Sequence, residues 1–219
     1  MIGVEQSGWH CYDVYDHTLH ALDRTPTDDL ITRLAVLLHD VGKPPTHAVA
    51  EDGRHTFHDH PHVGAEMAEE ILGRLRFSGD QVRDVATLVR LHLRPIQYRH
   101  DTHGDAAVRR LVRAAGPLRA KLLDVARADT LASSYPGIEE IDELAERMER
   151  LDRGGAVSRP TPPLDGATIM RLGRRGPGPW VGRVQEALKE AMLDGEFPPG
   201  DAAAAEAWLR ARPELLAGP

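Results

Sequence analysis

The adjacent pair His39-Asp40 lies in the run LAVLLHDVGKPPTH, at the end of an apolar segment. Four more residues of the same two types are spaced along the chain: His17, His60, His92 and Asp129. Imidazoles and carboxylates are the ligands that zinc, manganese, iron and related divalent ions take. Burying the pair costs desolvation free energy unless a partner compensates it, and a bound cation would do so for both side chains. The pattern therefore predicts a metal-dependent enzyme.

The six residues divide into candidates for two ions. His17 and Asp129 complete a four-ligand set with His39-Asp40, which leaves open positions on a six-coordinate ion for water and substrate. The remaining two histidines are expected to hold a second ion, with Asp40 as the bridge. Each candidate also has a structural explanation when taken alone: a histidine on an apolar helix is commonly a core residue, and an aspartate often caps a helix. Their combined order favours the metal site.

The elements that must position these side chains are predicted to be helices, because apolar residues recur with helical spacing almost throughout. Thr27 is the expected N-cap of the helix that leads to His39, and Pro44-Pro45 prevents its continuation beyond Gly42. Five residues give this helix a wide apolar face: Leu30, Ile31, Leu34, Leu37 and Leu38. Residues 46–60 are expected to form a loop. The other helices are predicted at 11–24, 61–76, 80–93, 105–115, 117–133, 138–152, 165–172, 180–194 and 201–211. No segment alternates with period two, so the predicted fold class is all-α.

The predicted organisation is a domain at 1–153, a Pro/Gly linker at 154–163 and a small helical region at 164–219. The single cysteine, Cys11, excludes an internal disulfide and a cysteine-based metal site, which fits a cytoplasmic protein. No apolar run reaches the roughly 20 residues needed to span a bilayer, and no secretory signal is visible. Residues 1–104 carry 10 Lys and Arg against 16 Asp and Glu, so bulk charge provides no basic face for long nucleic acid.

Several segments together resemble the HD superfamily of metal-dependent phosphohydrolases: HTLHALD, LLHDVGKP, Phe57–Ala65, LVRLH and RADTLA. More narrowly, they are similar to the HD domain of bacterial CCA-adding tRNA nucleotidyltransferases. The C-terminal segment from LDGATIM to DGEF is similar to the tail of the same enzymes. The resemblance implies an HD-domain helical bundle with a small helical C-terminal appendage. His17, His39, Asp40 and Asp129 match the family's principal metal ligands, and His60 and His92 match the extra histidines of members with two metals.

The chain departs from the nucleotidyltransferases because it begins at the HD region, without the head that carries their catalytic carboxylates. We therefore expect that the chain does not add nucleotides. It is expected to be either a free-standing HD hydrolase or a portion of a longer enzyme. The resemblance implies hydrolysis of phosphate esters of nucleotides or RNA termini by metal-bound hydroxide. The expected activities are those of a 2′,3′-cyclic phosphodiesterase, a 2′-nucleotidase or a phosphatase. One or two divalent ions are expected per chain, drawn from Mn, Ni, Zn, Fe, Co and Mg.

Asp40 and Lys43 are the expected catalytic residues, and Lys43 and Arg94 are the expected substrate-binding residues. Some HD hydrolases carry an acidic proton donor where this chain has Lys43, so the lysine is expected to bind phosphate or stabilise the leaving group. A helix C-terminal cation is the structural alternative for Lys43. The expected partner is a small nucleotide or phosphate ester, with a tRNA or RNA 3′ end as the alternative.

Two other functions remain open. The first is a tRNA-binding body-and-tail fragment of a CCA-adding-type enzyme, for which Arg171, Arg174 and Arg175 would contact backbone phosphates. The second is a di-iron HD oxygenase, which the same six ligands would suit. Six intact ligands argue against a module that only binds, since such a module has no chemical need for them.

Overall fold

The computed structural model describes residues 1–6, 13–133, 137–155, 157 and 160–217. Within them the structure is helical apart from one short two-stranded sheet, so the all-α prediction is confirmed. Cys11 and the start of the predicted helix at 11–24 lie outside the described residues. In the described part, no helix is long and apolar enough to cross a membrane.

The helices are numbered in chain order, with the strands β1 (His47–Val49) and β2 (His55–Phe57) between the third and fourth helices. The helices are α1 (Val14–Asp23), α2 (Leu30–Leu38), α3 (Lys43–Thr46), α4 (His60–Arg74), α5 (Gly79–Leu91), α6 (Leu93–Ile96), α7 (Asp105–Ala115), α8 (Arg119–Ala132), α9 (Ile138–Leu151), α10 (Gly166–Gly173), α11 (Pro179–Asp194), α12 (Ala202–Arg210) and α13 (Pro213–Ala217).

The chain forms two compact units: 1–100 with 115–146, and 101–114 with 147–219. The predicted segments 1–153, 154–163 and 164–219 follow a different division, in which residues 101–114 belong to the N-terminal domain. Residues 156, 158 and 159 of the predicted linker lie outside the described residues. The three-segment organisation stays a prediction.

In the first unit, α2 starts later than its sequence indicates. Its N-cap is Asp29, whose Oδ1 accepts hydrogen bonds from the backbone N–H and the hydroxyl of Thr32, both at 2.9 Å. Thr27 instead accepts a hydrogen bond from the backbone N–H of Asp29 at 3.1 Å. The prediction of Thr27 as the cap was therefore wrong by two residues, because the carboxylate reaches the first turn more directly.

The buried face of α2 also differs from the predicted apolar face. Leu30 and Leu37 are 52% and 40% exposed, whereas Thr32 is fully buried. The buried positions of the helix are Thr32, Ala35, Val36 and Leu38. The first three recur at i, i+3 and i+4, and the same stripe reaches His39 one turn later. The helix thus turns its polar C-terminal pair into the interior and leaves two leucines outside.

The segment 46–60 is not simply a loop, as predicted, because β1 and β2 form an antiparallel hairpin within it. The register pairs His47 with Phe57, Ala48 with Thr56 and Val49 with His55. Three-residue strands are too short to give a recognisable alternating pattern. The hairpin ends immediately before α4, whose first residue is His60.

The first unit brings the start of α3 close to α4 at a pair of glycines, Gly42 and Gly64. A Cβ atom at Gly42 would lie 2.3 Å from the carbonyl oxygen of His60 and 2.6 Å from the backbone nitrogen of Gly64. Helix α4 packs along α5, α2 packs against α5 and α8, and α1 packs against α2 and α8. The turn after Asp40 is therefore fixed against the start of α4 by direct backbone contact.

The second unit has an apolar core built from α10, α11 and α12. Its buried side chains include Ile169, Trp180, Leu188 and Leu209. Arg110 on α7 is ion-paired with Asp194 on α11. Within the described residues, the six candidate ligands all belong to the first unit.

Candidate metal centre

The structure brings all six predicted ligands together in the interior of the first unit. His17 lies on α1 and Asp129 on α8, while His39 and Asp40 follow the last residue of α2. His60 is the first residue of α4, and His92 follows the last residue of α5. None of the six is more than 7% exposed. Four of them lie at or just beyond a helix end, where a side chain can point along the helix axis into a shared space.

The first group of three contains His17, His39 and Asp129, whose potential ligand atoms all lie within 4.8 Å of one another. His17 Nε2 is 2.9 Å from Asp129 Oδ1 and 3.3 Å from His39 Nε2. The Nε2 of His39 is also 3.2 Å from Asp40 Oδ2. These distances are short enough for the side chains to bind one another directly or to surround one cation.

The second group contains Asp40, His60 and His92, again with all potential ligand atoms within 4.8 Å. Asp40 Oδ1 lies 3.4 Å from His60 Nε2 and 3.9 Å from His92 Nε2. The other carboxylate oxygen, Oδ2, faces His39 and His17 of the first group, the latter at 3.8 Å. Asp40 therefore turns one oxygen toward each group, which is the arrangement that a bridging carboxylate needs.

Three of the histidines are oriented by the same device. The Nδ1 atoms of His39, His60 and His92 each donate a hydrogen bond to the carbonyl three residues earlier, at 2.7, 2.9 and 2.7 Å. The acceptors are the carbonyls of Val36, Phe57 and Val89. Because a carbonyl only accepts, Nδ1 carries a proton in each ring, and Nε2 is the atom turned toward the centre, where it can bind a cation whenever the ring is neutral. This is the usual way in which a protein fixes the tautomer of a metal-binding histidine.

The charges of the first group are balanced within the protein, with Asp40 and Lys43 taking part. Burial acts to lower the pKa of His39, but the carboxylates of Asp40 and Asp129 outweigh it and raise the pKa to about 9. Burial acts to raise the pKa of Asp129, but His39 and His17 hold it well below its usual range. The pKa of Asp40 is likewise held low, against burial, by His39 and Lys43. Without a cation, this half of the centre is a buried ion-pair network.

The second group is not balanced in this way. Burial and the charge of His39 lower the pKa of His92 to about 3, and burial also lowers the pKa of His60. The Nε2 atoms of His60 and His92 are buried and have no hydrogen-bond partner among the described residues. Two neutral imidazoles beside a carboxylate, with their lone pairs unsatisfied, fit a divalent cation. The donor set therefore fits the predicted metal centre.

Lys43, the predicted catalytic cation, is only 6% exposed. Its Nζ lies 2.7 Å from Asp40 Oδ2 and 5.5 Å from the centre of the Phe57 ring. The Nζ also donates a hydrogen bond to the side-chain oxygen of Gln6. Lys43 thus lies against the carboxylate that faces both groups.

The other predicted substrate-binding residue, Arg94, is exposed on α6, two residues after His92. Sequence reasoning missed Gln6 and Phe57 as neighbours of the centre. No local signal identifies Gln6, since its contact with Lys43 spans 37 residues. Phe57 had one available signal, its position three residues before His60, which is the spacing of the carbonyl that orients the ring.

Comparison with known proteins gives a match to the family model described as "HD domain" over residues 9–134. The chain is 41% identical over 205 residues to the A-adding tRNA nucleotidyltransferase of Deinococcus radiodurans. It is 37% identical over 201 residues to the CC-adding tRNA nucleotidyltransferase of Thermus thermophilus. These alignments each cover 89% of this chain, but 46% and 44% of the two relatives. The chain therefore spans less than half the length of these curated relatives.

A more distant relative is the bifunctional uridylyltransferase/uridylyl-removing enzyme of Azospirillum brasilense. It is 32% identical over 216 residues, which cover 85% of this chain and 20% of the relative. All three relatives are named for enzymes that handle nucleotidyl groups, and the predicted resemblance to tRNA nucleotidyltransferases is confirmed.

Proposed function

We propose that this chain, which belongs to the HD-domain family, is a metal-dependent phosphohydrolase that cleaves phosphate esters of nucleotides or RNA termini. The observation that carries the proposal is the convergence of six buried imidazole and carboxylate side chains from five helices or helix ends. Unpaired imidazole nitrogens at this depth are costly unless a cation binds them.

Metal ions held by the two groups would supply positive charge at a phosphoryl oxygen and make water acidic near neutral pH. The protein's own contribution is to fix the spacing of the two groups through the shared carboxylate of Asp40. The backbone carbonyls behind His39, His60 and His92 keep each Nε2 turned inward. Lys43 adds a cation beside Asp40, where it would bind a phosphate oxygen or stabilise a leaving group.

The test is metal content and hydrolysis measured on the same preparation, purified without chelator. Mass spectrometry should find about two divalent ions per chain, as two groups of ligands imply. Hydrolysis should be assayed on a 2′,3′-cyclic nucleotide, a 2′-nucleotide and a phosphomonoester. His39→Ala should remove the activity, while His58→Ala, an exposed histidine outside both groups, should retain it. Two irons without hydrolysis would instead support the di-iron oxygenase, and an inert metal-free protein would contradict both enzymes.

A second candidate function, binding of tRNA, is supported by the relatives' names and by a pocket in the second unit. Arg175, Trp180 and Arg183 line this pocket beside the Gly-Pro turn, and the Arg175 guanidinium lies 5.5 Å from the Trp180 ring. Residues 166–185 carry four arginines and no acidic residue, although the whole chain has a net charge of −7. Such a patch suits backbone phosphates.

This candidate is tested by tRNA affinity at two salt concentrations for Arg175→Glu with Arg183→Glu. A loss of affinity and a shallower salt dependence are expected if the pocket holds phosphates. Arg54→Glu with Arg74→Glu, at two exposed arginines of the first unit, is the control with the same change in net charge. Equal loss in both proteins would indicate that only net charge matters.

A further inference from the structure

The hairpin of β1 and β2 carries a group of aromatic rings beside the candidate metal centre. His47 lies directly across from Phe57 in the register, and His55 lies two residues before Phe57 on the same face. The rings of His47 and His55 are 4.9 Å apart with planes 18° from parallel, and those of His47 and Phe57 are 5.4 Å apart at 26°. Three rings are therefore nearly parallel on one face of the hairpin.

These rings are not part of the apolar core. His47 is exposed, and His55 and Phe57 are half-buried. His47 and His55 are also linked edge to edge, since His47 Nε2 lies 2.8 Å from His55 Nδ1. The hydrogen bond and the nearly parallel planes hold the exposed imidazole of His47 and the half-buried imidazole of His55 in one orientation, which gives the hairpin an ordered, partly exposed aromatic surface.

The aromatic surface is joined to the metal centre through two contacts at Phe57. The carbonyl of Phe57 accepts the hydrogen bond that orients His60, at 2.9 Å. The Nζ of Lys43 contacts both the Phe57 ring, at 5.5 Å from the ring centre, and Asp40 Oδ2, at 2.7 Å. Lys43 thus links the Phe57 ring to the carboxylate that both ligand groups share.

We propose that His47, His55 and Phe57 form a stacking platform for the heterocyclic base of a nucleotide whose phosphate is bound beside Asp40 and Lys43. The inference rests on the proposed function for the position of the phosphate and adds the part of the substrate that determines specificity. Protein aromatic rings, including imidazoles, stack on nucleobases and discriminate little between them, because every base has a π-face. The platform therefore selects nucleotides over phosphate esters without a base, and it accepts purines and pyrimidines alike.

The test compares the binding of adenosine 5′-monophosphate, uridine 5′-monophosphate and ribose 5-phosphate to the full chain loaded with zinc, by titration calorimetry. Ribose 5-phosphate carries the same sugar and phosphate without a base. Both nucleotides should bind about tenfold more tightly than ribose 5-phosphate, since stacking on one aromatic group has about this effect. Equal affinity for all three, or no binding of either nucleotide at millimolar concentration, would overturn the inference.

His47→Ala should weaken nucleotide binding to near the level of ribose 5-phosphate and leave the affinity for ribose 5-phosphate unchanged. His47→Phe should restore nucleotide binding, because it keeps a ring in place of the imidazole. His58→Ala, an exposed histidine one residue beyond β2, should match the parent protein. A similar loss for all three ligands in His47→Ala, a failure of His47→Phe to rescue, or the loss of a bound zinc ion in either variant would contradict the platform.

Because the readout is binding, this test can fail separately from the proposed function. A parent protein that binds nucleotides preferentially but hydrolyses no phosphate ester with any divalent ion would sustain the platform and refute the phosphohydrolase. A parent protein that hydrolyses and binds base-free esters as well as nucleotides would do the reverse.

Discussion

The two groups of ligands in the candidate metal centre differ in how fully their charges and hydrogen-bonding atoms are paired within the protein. In the first group, His17 is bonded to Asp129, and His39 is held in a charged state by two carboxylates. In the second, His60 and His92 are disfavoured as cations by burial, and each has an Nε2 without a hydrogen-bond partner in the described part of the chain. The difference indicates that the first group can persist as an ion-pair network without a metal, whereas the second is better explained by a metal.

Replacing Asp40 should disrupt both ligand groups at once, because each of its carboxylate oxygens faces one group. We expect Asp40→Ala to remove both ions and to lower the rate of hydrolysis by at least about a hundredfold. Loss of a residue that only hydrogen-bonds to a metal ligand already lowers metal affinity or activity about ten- to a hundredfold. Mass spectrometry and initial rates on one preparation measure both effects. Asp52→Ala, on the exposed hairpin turn, is the control. One ion retained in Asp40→Ala would show that the carboxylate is not shared.

Replacing His39 or His92 by phenylalanine tests whether the two groups differ in their contribution to the stability of the metal-free protein. In the metal-free protein, His39→Phe should reduce the free energy of unfolding by about 3–5 kcal/mol, because it removes the buried cation shared by the two carboxylates and leaves Asp40 paired with Lys43 and Asp129 with His17 only. His92→Phe should change it by less than about 1.5 kcal/mol, since it removes the unsatisfied Nε2 and loses only the hydrogen bond from Nδ1 to the Val89 carbonyl.

Urea unfolding in excess chelator measures both variants, with the parent protein in the same buffer as reference. With metal present, the parent should gain stability and each variant should gain less, because ligands that bind only the folded state stabilise it. If His92→Phe is as destabilising as His39→Phe without metal, the second group is also stabilised by contacts within the protein, and the proposed difference between the groups is wrong.

The convergence of the six side chains was predictable from sequence, because residues of metal-ligand type lie near helix ends that the apolar pattern and the prolines already mark. The environment of Lys43 was not predictable, since Gln6 reaches it from 37 residues away. The hairpin was missed for another reason. Its strands have three residues each, and their pairing is stabilised by ring contacts between His47, His55 and Phe57 that no local pattern encodes.

The predicted buried face of α2 was wrong for a physical reason as well. Hydropathy assigns Leu30 and Leu37 to the core because it treats each side chain by its own transfer free energy. The structure instead buries Thr32, whose hydroxyl is satisfied by Asp29, and the polar pair that follows the helix. Because the helix turns the face that leads to His39 and Asp40 inward, the position of the buried polar cluster decides which apolar residues remain outside.

A substitution at Gly42, whose backbone contacts α4, should disturb the second group selectively and with a smaller effect on stability. Gly42→Ala should cost about 1–3 kcal/mol of stability, because its Cβ would overlap the backbone of His60 and Gly64, which cannot move independently of α4. The displacement should weaken metal binding by the second group more than by the first. Thermal unfolding and competition with a chelator measure the two effects.

The matched control is Gly73→Ala, within α4, where an added Cβ meets no atom within 4 Å. That substitution should raise stability by about 0.5–1 kcal/mol, since alanine is the better helix former. Equal metal affinity in Gly42→Ala and the parent protein would mean that the glycine contact does not set the position of His60.

The smallest expected effect is at the other end of α2, which leads to His39 in the first group. Asp29 caps the helix and pairs with Lys121, at 2.5 Å, and this contact with the capping hydrogen bonds holds the pKa of Asp29 below its usual value. A carboxylate with a lowered folded-state pKa contributes stability above its unfolded-state pKa, about 3.9, and loses the contribution as the pH falls through the folded-state value. Asp29→Ala should therefore cost about 1 kcal/mol at neutral pH and less in acid.

Asp29→Asn separates the two components of this effect. The amide oxygen can still accept from Thr32, so most of the capping contribution should remain, while the pH dependence due to the charge should disappear. Asp28→Ala, at the neighbouring exposed position, is the control for a general change in acidic charge. All three variants should keep both ions, because the cap stabilises the helix without contacting the ligands. A lost ion in Asp29→Ala alone would show instead that the first group depends on the exact position of α2, and that it is less self-sufficient than its own ion pairs indicate.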